Sequence, residues 1–137
     1  MLLHRFALSA FSDALALGMC PEKVFSLAHL FDDVDLVVWV DTPVELALCR
    51  KDGSISEAEA GGPYFRRESE TLDQSFTRYQ DRVRQAYLLL RKKSILAKEW
   101  LVVDGTKSIE VSAGKITKKI TNIDNSIFKS GSNKYGT

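Results

Sequence analysis

Five arginines in one stretch of the chain have the chemistry to bind a phosphorylated ligand. Arg66 and Arg67 stand where a glycine-rich loop meets a helical pattern, and Arg78, Arg82 and Arg84 follow them. A guanidinium group on a closing loop can grip a phosphate through two parallel hydrogen bonds and neutralise charge that develops during phosphoryl transfer. The alternative is a solvated helix face on which acidic neighbours pair with the arginines. Those acidic neighbours are Glu68, Glu70 and Asp81.

A phosphate-binding loop of the G-x-x-x-x-G-K-[ST] type does not occur in the sequence. Such a loop supplies the backbone N–H groups and the lysine that hold the phosphates of a nucleotide. The nearest candidate, Gly105-Thr106-Lys107-Ser108, follows an apolar run but has no glycine directly before the lysine. We interpret it as a turn between a strand and a helix, capped by Thr106 or Ser108.

The residue types that usually bind metals indicate neither a metal site nor a disulfide framework. Cys20 and Cys49 belong to no C-x-x-C or Cys/His ligand spacing, and His4 and His29 lie far apart in the sequence. We therefore expect reduced, buried thiols and no metal ligands among these residues.

The sequence predicts two strands, which would position the turns that follow them. Apolar runs at 36–40 and 100–103 predict buried parallel strands, each followed by a turn and a helix. After the first strand, Thr42 is the expected N-cap of a helix whose first residue is Pro43. Two parallel strands are too few to make a stable sheet, so the sheet is predicted to be incomplete.

Helices are predicted between and around these strands. One covers 6–17, a second begins near Pro21, and apolar residues at steps of three and four predict a long helix over 68–93. This alternation of helices and strands is typical of an α/β fold with a parallel sheet. The last helix opens near Ser108, and its expected inward residues are Ile109, Ile116 and Ile120.

Composition and charge exclude several classes of protein. The 137-residue chain is 45% hydrophobic and 27% charged, as a globular domain is, and its net charge of +1 provides no field to attract nucleic acid or an anionic membrane. The first twenty residues resemble a signal peptide in outline, but Ser9, Ser12 and Asp13 interrupt the apolar stretch. No run reaches the roughly 20 apolar residues of a membrane span. We expect a cytoplasmic protein without nucleic-acid or membrane partners.

Four blocks of the sequence keep the order and spacing of one known family. They read "HRFALSAF", "DLVVWVDTPVELALCR", "YFRRESE…YQDRVRQAYLLL" and "WLVVDGTKSIEV". Together they resemble the C-terminal part of thymidylate kinases, over roughly residues 4 to 120. The resemblance implies part of a P-loop nucleotide kinase fold with a parallel sheet. It also implies transfer of the γ-phosphoryl group of ATP to dTMP, giving dTDP, with Mg²⁺ as cofactor.

The resemblance also assigns roles to individual residues. Arg5 would meet the phosphate of dTMP, with Phe6 and Ser9 beside it, although His4 stands where the family has an aspartate. Arg66 or Arg67 matches the catalytic arginine of the lid, the loop that closes over the nucleotides. The turn that lies against the adenine of ATP matches Asp104, Gly105 and Thr106.

On this resemblance, residues 1–121 form a partial thymidylate-kinase-like domain and 122–137 a polar, flexible tail. The first three strands and the phosphate loop would precede Met1, so we expect a fragment that is inactive alone. Its partners would be dTMP, ATP, and either a second copy or a complementing N-terminal half. Two alternatives remain open: a fragment of a deoxynucleoside kinase, and a non-catalytic module that binds a partner through its exposed strand edge.

Overall fold

Two parallel strands form the sheet of this computed structural model, which describes residues 7–132 and the side chains of 7–124. β1 (Val34–Asp41) pairs with β2 (Ala97–Asp104), from Val34 opposite Ala97 to Asp41 opposite Asp104. The two strands predicted from the apolar runs are confirmed, and each is longer than its run. With five helices among the described residues, the fold is mixed α/β.

Three helices pack on one face of this sheet. α1 (Ala7–Ala16) packs against α2 (Pro21–Ala28) and against the long helix α4 (Leu72–Lys92), which confirms the three predicted helices. Each large aliphatic side chain buried between them contributes about 1.5–3 kcal/mol to stability. The buried cluster consists of Leu8, Phe11, Val24, Ala28, Leu90, Ile95 and Leu96, with Val37 and Trp100 of the sheet packed against it.

α3 (Val44–Lys51) follows β1 after a short turn. The predicted Thr42 cap is wrong, because Pro43 occupies the N-cap position and no side chain caps the helix. Thr42 is instead in close contact with Gly105, where an added Cβ would lie 2.0 Å from Thr42 Oγ1. Val44 starts a second buried cluster, which joins α3 to the following loop and to α4. Its other members are Ile55, Ala60 and Phe76.

α4 begins at Leu72, one turn later than the predicted start at 68. Thr71 is its N-cap: Thr71 Oγ1 accepts the Gln74 backbone N–H at 3.2 Å, and Gln74 Oε1 accepts the Thr71 backbone N–H at 2.9 Å. This reciprocal capping box fixes the helix start. Residues 68–71 therefore belong to the loop, which places Glu70 outside the helix.

α5 (Ile109–Ser132) packs on β2, where Lys119 pairs with Glu99. Ile116 is half-buried, but Ile109 is 82% exposed and Ile120 is 42% exposed, so their predicted inward positions are wrong. A sheet of two strands offers a narrow surface, and one helix cannot bury all its apolar positions against it. α5 also continues past the predicted boundary at 121, to Ser132.

The two cysteines depart from the sequence-based expectation. Cys20 and Cys49 are free thiols as expected, but both are exposed and not buried. Cys20 stands at the N-cap of α2, and Cys49 lies on the outward side of α3. Within the part of the chain that the structure covers, no helix is long and apolar enough to cross a membrane.

Candidate functional site

The carboxyl ends of β1 and β2 lie side by side and are fixed by polar contacts. Asp41, the last residue of β1, accepts two hydrogen bonds from Arg84 of α4, from Nε at 2.7 Å and from Nη2 at 2.9 Å. Such a two-point contact fixes geometry as well as charge. The hydrogen bond to Asp41 raises the pKa of Arg84. The end of β1 is thereby fastened to α4.

The turn after β2 brings together the three residues assigned to the adenine loop. Asp104 Oδ1 accepts hydrogen bonds from the Thr106 backbone N–H at 2.9 Å and from its hydroxyl at 2.6 Å. The hydroxyl contact is the main cause of a lowered Asp104 pKa. Gly105 donates its N–H to the Asp41 carbonyl at 2.8 Å. Ser108 Oγ accepts the Val111 N–H at 3.4 Å, so Ser108, not Thr106, caps α5.

Ser9 lies on the side of α1 that faces α4. Its Oγ is 3.2 Å from the hydroxyl of Tyr87, and the Tyr87 ring stacks on Trp39 of β1 with ring centres 5.6 Å apart. The other residues assigned to the acceptor site, Arg5 and Phe6, lie outside the described residues. The structure therefore connects Ser9, one of the residues assigned to the acceptor site by resemblance, to the long helix and to the sheet.

The two candidate lid arginines differ in what they contact. Arg66 Nη2 lies 3.2 Å from Glu57 Oε1, which makes an ion pair. Arg67 is exposed, and within residues 7–124 its guanidinium makes no hydrogen bond or ion pair. Its backbone is fixed, because the Arg67 N–H donates to Glu70 Oε2 at 3.0 Å. Arg67 is therefore the better candidate for contact with a ligand.

Sequence reasoning missed the role of Glu70, which it treated as one acidic neighbour among several. Arg78 of α4 grips the Glu70 carboxylate with Nε at 2.7 Å and Nη2 at 2.6 Å. This hydrogen bonding lowers the pKa of Glu70 to about 2. The two residues are eight positions apart, with the helix start between them. No helical spacing rule connects such a pair, so the sequence carried no signal for it.

An open cavity with a volume of about 550 Å³ lies between α3 and α4. Arg78 and Arg84 border it, but each guanidinium is already paired with a carboxylate. Of the described residues that the thymidylate-kinase resemblance assigns to a site, none lines this cavity. Its polar lining residues are Glu45, Asp73, Gln74, Thr77, Asp81 and the two arginines.

α4 connects the predicted groups to one another. Arg78 holds Glu70 in the segment that contains the candidate lid arginines, Arg84 holds the end of β1, and Tyr87 contacts Ser9. At a rise of 1.5 Å per residue, these contacts fall within about 14 Å along the helix. Asp41 also contacts the turn after β2, because its carbonyl accepts the Gly105 N–H. No direct contact joins Ser9 to the lid arginines among the described residues.

No protein-family model matches this chain, and no curated protein matches it. An assignment of function therefore rests on the sequence pattern and on the contacts described above.

Proposed function

We propose that this chain forms the acceptor-side, lid and adenine-loop portion of a thymidylate-kinase-like enzyme. The reaction transfers the γ-phosphoryl group of ATP to dTMP and gives dTDP. The observation that carries the proposal is the role of α4, which contacts the Ser9 side of α1, the lid segment and the end of β1. Ser9, Glu70 and Asp41, which are distant from one another in sequence, are thereby all held by the same helix.

Phosphoryl transfer needs positioning and charge stabilisation more than covalent chemistry from the protein. In this proposal, Arg5 and Ser9 hold the phosphate of dTMP, and Phe6 is a further residue of the acceptor site. Arg67 approaches the transferring group from the lid and stabilises charge in the transition state. Arg66, which is paired with Glu57, keeps the loop in shape.

ATP would lie outside the carboxyl ends of the strands, the usual ligand site of open α/β sheets. The adenine base packs against the turn at 104–106. Gly105 allows this turn to lie directly on β1, because any side chain there would collide with Thr42. No group of three possible metal ligands occurs in the part of the chain described. We therefore expect the main ligands of Mg²⁺ in the phosphate-loop half and assign no step to the ion.

The proposal requires a phosphate-binding loop from outside these 137 residues, because the sequence has no G-x-x-x-x-G-K-[ST]. We expect no phosphorylation of dTMP by the chain alone. The test is a fusion in which the phosphate-loop half of a thymidylate kinase precedes Met1, with folding checked by circular dichroism. The fusion should form dTDP from ATP and dTMP.

Substitutions in this fusion separate the two arginine roles. Arg5→Ala should chiefly raise the KM for dTMP, since the contact already exists in the ground state, whereas Arg67→Ala should lower kcat. Each loss should be roughly ten- to a hundredfold, as expected for a charge-assisted hydrogen bond. Arg91→Ala, in the exposed last turn of α4, is the matched control. A folded fusion without turnover would contradict the proposal.

A second candidate, a non-catalytic binding module, is favoured by the pairing of the arginines. Arg66, Arg78 and Arg84 each form an ion pair with a carboxylate of this chain, which is what a purely structural role requires. In such a module the fusion would show no turnover, Arg67→Ala would leave ligand binding unchanged, and the exposed edge of β1 would bind a partner protein.

A further inference from the structure

Glu70 forms hydrogen bonds with both backbone polar groups of Arg67, the N–H and the carbonyl. Glu70 Oε2 accepts the Arg67 backbone N–H at 3.0 Å, and the Glu70 backbone N–H donates to the Arg67 carbonyl at 3.0 Å. These two bonds close a tight turn over residues 67–70. Arg67 therefore has a fixed backbone although it stands in an exposed loop.

Glu70 is in turn held by α4. The two parallel hydrogen bonds from Arg78 lock the carboxylate plane, and the side chains of both residues are largely buried, 14% exposed for Glu70 and 22% for Arg78. Arg78 Nη2 also donates to the Phe65 carbonyl at 2.8 Å. One guanidinium thus fastens both ends of the segment 65–70.

The Phe65 ring completes the attachment. The Arg78 guanidinium lies 3.9 Å from the centre of this ring, and the ring of Tyr79 meets it edge-on with centres 5.2 Å apart. Cation–π contact of this kind adds to the hydrogen bonds. The segment 65–70 is therefore attached to α4 at Phe65 and at Glu70, and Arg67 lies between these two residues.

We propose that Glu70 and Arg78 are positioning residues that fix the backbone at Arg67, so that its guanidinium can contact the polyphosphate group of a nucleotide. The ligand part of this inference rests on the proposed function, whereas the positioning part rests on the contacts of segment 65–70 alone. A fixed backbone removes part of the ordering cost that a flexible loop pays on binding. Lysine could not replace Arg78, because it cannot make the two parallel bonds to Glu70.

Trypsin measures the positioning directly, because Arg66 and Arg67 are exposed cleavage sites in the full chain. Arg78→Gln and Arg78→Lys should both accelerate cleavage after Arg67 by about tenfold or more, because the loss of even one of the three Arg78 hydrogen bonds corresponds to about tenfold. Glu70→Gln should act in the same direction and serves if Arg78→Gln does not fold. The matched control is Arg84→Gln, which removes an equivalent two-point pair on the same helix, with Asp41. It should leave cleavage after Arg67 unchanged.

Binding of tripolyphosphate, followed by calorimetry, tests whether Arg78 acts through Arg67. Arg67→Ala and Arg78→Gln should each weaken binding by about tenfold or more, and the double variant should be no weaker than Arg67→Ala. Losses that multiply in the double variant would overturn the positioning role. Unchanged cleavage in Arg78→Gln, with tripolyphosphate still bound, would overturn positioning and leave the proposed function standing. Cleavage that depends on Arg78, with no tripolyphosphate binding, would instead overturn the phosphate role of the lid.

Discussion

Replacing Gly61 with alanine should destabilise the protein far more than the same change at its neighbour Gly62. Both glycines have positive φ, 91° at Gly61 and 81° at Gly62, where a side chain costs about 1–2 kcal/mol. Only Gly61 is crowded as well. An added Cβ would lie 2.7 Å from the Phe65 ring and 2.8 Å from the Tyr79 ring, whereas Gly62 has no atom within 4 Å.

The difference between the two variants isolates the packing of the Phe65 and Tyr79 rings against Gly61. Overpacking of this kind costs about 1–3 kcal/mol, so Gly61→Ala should lose about 2–5 kcal/mol and Gly62→Ala only its backbone strain. Reduced freedom of the unfolded chain offsets about 0.4–1 kcal/mol in both variants and cancels in the comparison. For a chain of this size, the packing term of about 1–3 kcal/mol corresponds to a difference in Tm of roughly 3–10 °C.

Urea unfolding followed by tryptophan fluorescence measures both variants on the same scale. Trp39 and Trp100 lie on the two strands and report loss of the sheet. Equal losses for the two variants, within about 0.5 kcal/mol, would show that neither the Phe65 ring nor the Tyr79 ring is packed against Gly61. The attachment of segment 65–70 to α4 would then be wrong.

Because Arg78 lowers the pKa of Glu70 to about 2, against an ordinary value of 4.5, this pair stabilises the fold fully above about pH 4.5 and loses its effect as the pH falls towards 2. Glu70→Gln should therefore flatten the loss of stability in acid, measured by circular dichroism. Gly105→Ala should cost about 1–3 kcal/mol in urea unfolding, because its Cβ would lie 2.0 Å from Thr42 Oγ1. Val38→Lys should reduce self-association in sedimentation velocity, because Val38 is exposed on a strand that has only one partner among the described strands.

Each of these predictions has an outcome that would contradict it. If the stability of Glu70→Gln falls with decreasing pH in the same way as that of the parent protein, Glu70 does not contribute to acid stability. Unchanged stability of Gly105→Ala would mean that the turn does not press on Thr42. A parent protein that sediments as a single monomer would show that the free edge of β1 does not pair in solution.

The sequence predicted the elements because their signals are local. An apolar run followed by Pro43 predicts a strand and a helix, and apolar steps of three and four predict α4. The start of α4 was misplaced because Glu70 fits a helical pattern equally well. The capping box of Thr71 and Gln74 starts the helix one residue after Glu70. The Glu70 side chain instead accepts a hydrogen bond from the backbone N–H of Arg67.

The site was less predictable because its contacts join residues from separate elements. Thr42 has the chemistry of an N-cap, yet it lies against Gly105, some sixty residues later in the chain. The pairing of Arg84 with Asp41 likewise depends on where α4 crosses the sheet. Such choices are decided by tertiary packing, and a single sequence carries no periodic signal for them.

The most direct test of the acceptor-site proposal is a titration of the isotope-labelled chain with dTMP, followed by amide NMR. dTMP should shift the signals of residues 5–9 in a saturable way, and Arg5→Ala should abolish these shifts. Thymidine should produce much weaker shifts at the same concentration, because it lacks the phosphate that Arg5 and Ser9 would bind. Equal shifts with thymidine would favour a deoxynucleoside acceptor. No shifts at about 10 mM dTMP would contradict the proposal that this chain carries the acceptor site of a thymidylate-kinase-like enzyme.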